Sequence, residues 1–343
     1  MRRQRLFALG VLILVAAGVA LAATLTPVGS STRRHSETSG ATTSSTQEAP
    51  PKPKPPPTAF AVGLSVQTFV DSSRSETLPD GTTQPRTLIT EIRYPAQGAV
   101  GLADLRNAPA ASAYGPYPLI VFGHGFAVTP GIYSHLLQAW ARAGYVVAAP
   151  VFPLEKAGAP GGSNESDLVN QPKDMSFVIS SMLEAAAAGS GPLAGLIDPT
   201  KVAVAGQSDG GDTALAVAYD HRFADPRVGA AVVLSGAEIP AEGSFEFPAG
   251  GPPLLATQGT ADTINFPNFT TTYFEAAQRP KYLLQLIGAE HLPPYTVPST
   301  QLHIVEGVSV AFLDSYLKHT AGALARISAI GQVPGTATLT AEP

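Results

Sequence analysis

Apolar runs typical of buried strands alternate with segments of helical periodicity along most of this chain. Residues 117–126 and 201–206 are such runs, and the segments 131–144 and 171–188 have apolar residues at helical spacing. Strands that are apolar along their whole length are buried on both faces, so this alternation predicts a mostly parallel sheet flanked by helices. In such sheets ligands bind beyond the carboxyl ends of the strands. The sequence therefore predicts an α/β fold with its site at that edge.

The remaining elements extend the same pattern. A turn around residues 79–84 separates the first two predicted strands. The predicted strands cover 60–70, 86–95, 117–126, 145–152, 201–206, 228–236, 252–259 and 281–289, and the predicted helices cover 131–144, 171–188, a segment from 210, 266–278 and one around 301–319.

Composition divides the chain into four segments. Residues 1–23 are a basic start followed by an uncharged apolar stretch, which is typical of a signal peptide or a signal anchor. Residues 24–58 are Ser/Thr-rich and then Pro/Lys-rich, which predicts a disordered tether. Residues 59–325 are the predicted catalytic domain. Residues 326–343 are rich in Ala, Gly and Pro without periodicity, which predicts a C-terminal tail.

The first segment predicts a location outside the cytoplasm. Cleavage after Ala22 and retention of residues 6–23 as a membrane anchor both remain open. In either case we expect a bacterial protein that is extracellular or held on the outer face of the cytoplasmic membrane. The chain has no cysteine, so an exported domain must be stable without disulfides.

Charge argues against nucleic acid as a partner. The net charge is −5, but residues 1–58 carry seven Lys/Arg and two Asp/Glu, while the remainder carries 14 and 24. The body of the protein is therefore acidic, whereas a nucleic-acid-binding surface is basic.

The sequence Gly206-Gln207-Ser208-Asp209-Gly210 matches G-x-S-x-G between an apolar strand and a helix. A nucleophile on this tight turn needs residues without side chains two places before and two places after it. Centring the turn on Ser208 puts Gly206 and Gly210 at those places, whereas centring it on Asp209 would put Gln207 there. Ser208 is therefore the candidate nucleophile.

A serine nucleophile needs a base, and the base needs an orienting acid. His291 directly follows the last predicted strand, at the ligand-binding edge of the sheet, and is the candidate base. Asp262 follows an intervening strand and completes the chain order Ser, Asp, His. Glu238, just past another strand, remains the alternative acid.

Acyl transfer also requires hydrogen-bond donors for the developing oxyanion. The N–H of Asp209 is one candidate. The N–H of Phe126 is the other, because the sequence His-Gly-Phe follows the first parallel strand. The carboxylate of Asp209 would disfavour an oxyanion unless a cation pairs with it.

Several motifs together resemble secreted bacterial α/β-hydrolases, in particular the platelet-activating-factor-acetylhydrolase-like, chlorophyllase-like and cutinase-like polyesterase groups. The likeness spans about residues 60–320 and rests on RTLITEIRYPAQ, PLIVFGHGF, NQPKDMSFVIS, VAVAGQSDGG, QGTADTINFPN and LIGAEHLPPY. It implies the α/β-hydrolase fold, Ser208 as nucleophile, Asp262 as acid, His291 as base, and the amides of Phe126 and Asp209 as oxyanion donors. Many relatives have His before the serine and an apolar residue after it, where this chain has Gln207 and Asp209.

These features predict an exported serine ester hydrolase that needs no cofactor and no metal. The connection between the strands at 228–236 and 252–259 is too short for a lid domain, which favours an open cleft and a bulky or lipid-like ester. The loop 151–170 is expected to be flexible and to line that cleft. A serine peptidase on the same fold, and a non-catalytic envelope-associated binding protein, are the alternatives.

Overall fold

The computed structural model describes residues 57–239 and 243–343. The expectations for the signal segment, and for the tether up to residue 56, lie outside the described residues. No helix within the described residues is long and apolar enough to cross a membrane.

The described chain forms ten strands and seven helices, with short 3₁₀ turns at 112–114, 130–133 and 165–170. In chain order these are β1 (Ala61–Thr77), β2 (Thr83–Ala96), β3 (Leu105–Arg106), β4 (Tyr117–Gly123), α1 (Ser134–Arg142), β5 (Val146–Val151), α2 (Gln171–Ala187), β6 (Ile197–Gln207), α3 (Asp209–Tyr219), β7 (Val228–Leu234), β8 (Leu254–Gly259), α4 (Pro267–Ala276), β9 (Lys281–Leu286), α5 (Pro293–Thr296), α6 (Thr300–Tyr316), α7 (Ala323–Gly331) and β10 (Ala337–Glu342).

All ten strands belong to one sheet in the order β10-β9-β8-β7-β6-β4-β5-β2-β1-β3. The six strands from β9 to β5 pair in parallel, and β2 and β10 join them antiparallel at the two sides. The chain runs outward from β4 to β5 in one direction and from β6 to β9 in the other. The carboxyl ends of β4 and β6 therefore meet at the topological switch point, where a ligand crevice is expected.

The core lies on both faces of the sheet, as the apolar runs predicted. Along β4, Leu119 and Val121 pack with α2, α3 and α4 on one face, while Ile120 and Phe122 pack with α1 and α6 on the other. Successive strand residues point to opposite faces, so a strand apolar at every position serves both layers. The predicted mostly parallel, helix-flanked sheet is confirmed.

Loop 151–170 is held by buried contacts, which differs from the flexible loop expected from its composition. Arg86 on β2 is buried and donates to both carboxylate oxygens of Asp167, at 2.7 and 2.6 Å. The same guanidinium donates to Asp174 on α2. A buried arginine that lost these partners would be left as an uncompensated charge, so the network fixes the end of the loop against the sheet. This pairing could not be predicted from the sequence, because the two partners are about 80 residues apart.

The predicted C-terminal tail is wrong. Helix α7 crosses the predicted boundary at residue 326, and β10 pairs antiparallel with β9 from Ala337↔Leu286 to Glu342↔Lys281. An edge strand gains its hydrogen bonds from backbone groups, which composition does not reveal. The catalytic domain therefore extends through residue 342.

The connection between β7 and β8 contains no helix in its described residues, 235–239 and 243–253. This agrees with the prediction that no large lid domain lies between these strands.

Candidate active site

Ser208 lies on a sharp turn at the switch point, between the end of β6 and the start of α3. Its backbone has φ 56° and ψ −126°, a strained conformation for a residue with a side chain. Its N–H continues the sheet by bonding to the Leu234 carbonyl at 3.0 Å, and its carbonyl accepts the Asp212 N–H at 2.9 Å, which begins the helix. The strand and helix therefore hold this strained residue from both sides.

The two glycines flanking Ser208 occupy positions without room for a side chain. A Cβ on Gly206 would overlap the carbonyl group of Gly210, so strand and helix close on each other there. A Cβ on Gly210 would overlap the carbonyl group of Gly123, at the end of the neighbouring β4. The second glycine is thus required by the next strand of the sheet as well as by the turn itself.

Ser208, His291 and Asp262 form a hydrogen-bonded line. Ser208 Oγ lies 2.8 Å from His291 Nε2, and His291 Nδ1 lies 2.7 Å from Asp262 Oδ2. Ser208 and Asp262 are buried, while His291 is partly accessible from solvent. With its proton on Nδ1, the imidazole can accept the serine proton at Nε2 while the carboxylate stabilises the imidazolium that forms.

Asp262 is held firmly by neighbouring donors. Its Oδ1 accepts the backbone N–H groups of Ile264 and Asn265 at 2.9 and 3.0 Å, and its Oδ2 also accepts Gln258 Nε2 at 3.1 Å. Four donors, counting His291, thus orient one carboxylate. The alternative acid, Glu238, is not the partner of His291, because His291 Nδ1 is hydrogen-bonded to Asp262. Partial burial raises the pKa of Glu238 above its usual value.

The described residues include four other histidines that are not buried. His135, His221, His303 and His319 are exposed residues of helix surfaces or loops. No group of three or more His, Cys, Asp or Glu within the described part of the chain is arranged to hold a metal ion.

The loop after β4 packs against Ser208. A Cβ on Gly125 would lie 3.1 Å from Ser208 Cβ, which brings the peptide joining Gly125 to Phe126 next to Ser208. The backbone N–H of Phe152 donates to Nε2 of the buried His124, at 3.0 Å. This bond leaves the ring proton on His124 Nδ1, which donates to the Gly125 carbonyl at 2.8 Å. The orientation of the candidate oxyanion peptide is therefore fixed by a neutral histidine.

We expect His124 to make the protein sensitive to acid. Burial lowers its pKa to about 4, against an ordinary value of 6.5. Between these pH values the unfolded chain binds a proton that the folded chain does not, so stability falls as pH falls, by up to about 3 kcal/mol. Urea unfolding of the wild type at pH 7.5, 6 and 4.5 should show this loss. His124→Gln should flatten it, while the exposed control His221→Gln should keep the wild-type slope; equal slopes in all three proteins would contradict the expectation.

Gln207 and Tyr133 connect the loop after β4 to His291, a link that the sequence did not predict. The Gly125 N–H donates to the Tyr133 hydroxyl at 3.2 Å, and that hydroxyl donates to Gln207 Oε1 at 2.7 Å. Gln207 Nε2 then donates to the backbone carbonyl of His291 at 3.1 Å. The unusual glutamine before the serine is thus buried between two parts of the site. The glutamine at a position where many relatives have histidine was the sign that this residue has a particular role. Its hydrogen-bond partners could not be predicted from the sequence.

Asp209 lies beside a second acid, where its position next to a candidate oxyanion donor predicts a cation. It is 2% exposed and lies beside the carboxyl group of Glu155, which is fully buried. Burial and the nearby charge of Asp209 raise the pKa of Glu155 to about 10, so Glu155 is protonated at neutral pH. The pair shares a single negative charge at the N-terminus of α3, where the helix dipole favours it.

Two comparisons with known proteins bear on this fold and site. Residues 107–258 match a family model described as Chlorophyllase, a segment with Ser208 that ends before Asp262 and His291. A ferulic acid esterase from Streptomyces cinnamoneus has a similar structure, with a TM-score of 0.57 and 20% sequence identity, covering 76% of this chain and 91% of that one. No curated protein sequence matches the chain.

The family match and the similar structure agree with the sheet order and the helix layers described above, and they define an α/β-hydrolase. Within that fold the protein is chlorophyllase-like and esterase-like, and its class is that of the carboxylic ester hydrolases. The resemblance predicted from the sequence motifs is confirmed at this level.

Proposed function

We propose that this protein is an exported serine esterase that cleaves carboxylic esters in two steps through an acyl-enzyme. The observation that carries the proposal is the line of hydrogen bonds from Ser208 Oγ through His291 to Asp262, at 2.8 and 2.7 Å. It is supported by the position of the line at the switch point of the sheet, beyond the carboxyl ends of β4 and β6.

In the proposed mechanism, Ser208 Oγ attacks the ester carbonyl carbon while His291 Nε2 takes the serine proton. The N–H groups of Phe126 and Asp209 donate to the oxyanion of the tetrahedral intermediate, each worth about 3–4 kcal/mol of transition-state stabilisation. His291 then gives its proton to the departing alcohol. A water molecule, deprotonated by His291, cleaves the acyl-enzyme and releases the acid.

The substrate we propose is an ester with a bulky apolar part. Ile264 and Phe266, two and four residues beyond Asp262, are 55% and 51% exposed. Large apolar side chains exposed together beside a site are typical of a surface that receives an apolar partner. The similar solved structure is named as a ferulic acid esterase, which makes methyl ferulate a suitable bulky test substrate.

The experiment combines labelling with turnover. A fluorophosphonate probe should label the wild-type protein, and peptide mapping should locate the adduct on Ser208. p-Nitrophenyl butyrate and methyl ferulate should both be hydrolysed, whereas a peptide library should not. An adduct on another residue, or no turnover of any ester, would contradict the proposal. Cleavage of peptides in preference to esters would favour the serine peptidase.

The location is part of the same proposal and is supported by the composition of residues 1–23. Expression of the full chain, followed by fractionation and N-terminal sequencing, distinguishes the two forms. A soluble product that begins at Ala23 would establish cleavage, and membrane-bound full-length protein would establish the anchor. Recovery from the cytoplasm alone would contradict export.

A further inference from the structure

Glu155 touches both segments that supply the candidate oxyanion donors. Its backbone carbonyl accepts the N–H of Ala127 at 3.1 Å, one residue beyond Phe126. Its side chain lies against the carboxyl group of Asp209, the residue that supplies the other donor. The proposed mechanism gives Glu155 no role, yet the residue is fully buried against both of these segments.

The bonds around Glu155 indicate where its proton lies. The Thr213 hydroxyl donates to Gln171 Oε1 at 2.9 Å, which turns the amide group of Gln171 toward Glu155. Gln171 Nε2 in turn donates to Glu155 Oε2. Two buried oxygens remain for which the described residues offer no N–H or O–H donor, namely Glu155 Oε1 and Asp209 Oδ2. A single proton shared between these two oxygens satisfies both.

We propose that Glu155, as a neutral carboxylic acid, is a positioning residue for the oxyanion site. Its Oε1–H donates to the Asp209 carboxylate and holds the first residue of α3, while its backbone carbonyl holds the loop 125–127. Without that donor, the buried carboxylate of Asp209 would have to reach solvent or another partner, and the amide of Asp209 would move with it. This inference rests on the proposed esterase function.

Few other charged groups act on the pair. Asp167 lies near Glu155 but is ion-paired with Arg86, and the neutral hydroxyl of buried Tyr133 is close to both carboxyl groups. Burial and the charge of Asp209 raise the pKa of Glu155. We therefore expect activity to fall at alkaline pH, because ionised Glu155 would repel Asp209 instead of binding it.

The test compares two substitutions of Glu155. Glu155→Gln keeps an oxygen for Gln171 and an N–H for Asp209, so its kcat at pH 7.5 should stay within about threefold of wild type and its alkaline loss should disappear. Glu155→Ala removes the donor, and kcat should fall by about tenfold or more with little change in KM, since an oxyanion donor acts in the transition state. Glu184→Gln, on the exposed end of α2, is the matched control and should keep the wild-type pH profile.

A stability measurement tests the protonation independently of activity. Between pH 6 and 9, the folded wild type holds a proton that its unfolded chain has released, so its unfolding equilibrium constant should rise relative to that of Glu155→Gln by up to tenfold per pH unit. The inference would be overturned if the ratio of the two unfolding equilibrium constants did not change with pH. It would also be overturned if Glu155→Gln lost as much kcat as Glu155→Ala. If the wild type hydrolyses no ester, the proposed function fails, and the unfolding ratio still decides whether the neutral acid is present.

Discussion

Asp262→Asn should lower kcat for ester hydrolysis by about 10⁴-fold with much less effect on KM. Asp262 Oδ1 accepts two backbone N–H groups, so the amide oxygen of asparagine must take that position. The amide nitrogen then takes the place of Oδ2 and donates to His291 Nδ1. The imidazole is forced to carry its proton on Nε2, where it cannot accept the serine proton.

Glu238→Gln is the matched control for this substitution, because Glu238 is the other carboxylate that the sequence offers as the acid. We expect its kcat to stay within about threefold of wild type. Steady-state kinetics with p-nitrophenyl butyrate, with thermal unfolding to verify that both variants are folded, make the comparison. A large loss in Glu238→Gln together with an active Asp262→Asn would mean that the acid is misassigned.

The order of local sequence patterns along the chain was sufficient to predict much of the fold. It was also sufficient to predict the three residues that form the hydrogen-bonded line. Ser208 lies between two glycines at a strand end, and His291 and Asp262 each follow an apolar strand. In a parallel sheet the carboxyl ends of all strands lie at one edge, so residues far apart in sequence are brought together by the fold class alone. That is why their proximity could be expected without knowledge of any side-chain contact.

The contacts that hold the site residues in place could not be predicted in the same way. Glu155 lies in a loop rich in Gly, Pro and Ser, where a carboxylate is ordinarily solvated. Its burial depends on Gln171 and Asp209, which come from two different helices, and on a loop fixed by Arg86 of β2. Such contacts depend on the docking of elements, which local patterns do not encode. For the same reason β10 could not be predicted, since its strand conformation depends on pairing with β9.

The charge of Asp209 shows how a local rule can mislead. A carboxylate next to a candidate oxyanion donor predicts a cation beside it, because the helix N-terminus alone leaves a residual cost to the oxyanion. In the structure a second carboxyl group lies there instead, and in our proposal its proton serves as the donor. The cost of burying one charge is thus reduced by a hydrogen bond and by the helix N-terminus.

Gly206→Ala should destabilise the folded protein by about 3 kcal/mol or more, at the upper end of what overpacking usually costs. The added Cβ would overlap the carbonyl group of Gly210, and a backbone group within the first turn of a buried helix cannot move aside as a flexible side chain can. The strand and helix would have to separate, which would also move Ser208 away from His291. Urea unfolding at pH 7.5 measures the loss, and fluorophosphonate labelling should disappear even in molecules that remain folded.

Gly229→Ala, on the neighbouring strand β7, is the control for this change. Its added Cβ would meet Leu317 Cδ2 at 3.4 Å, an ordinary van der Waals contact, and we expect a change in stability within about 1 kcal/mol and normal labelling. If Gly206→Ala and Gly229→Ala had equal effects, the turn would not need its glycine and the strained geometry of Ser208 would not depend on close contact between β6 and α3. The contrast between two glycines on adjacent strands therefore separates the requirement of the turn from the general cost of adding a methyl group to the sheet.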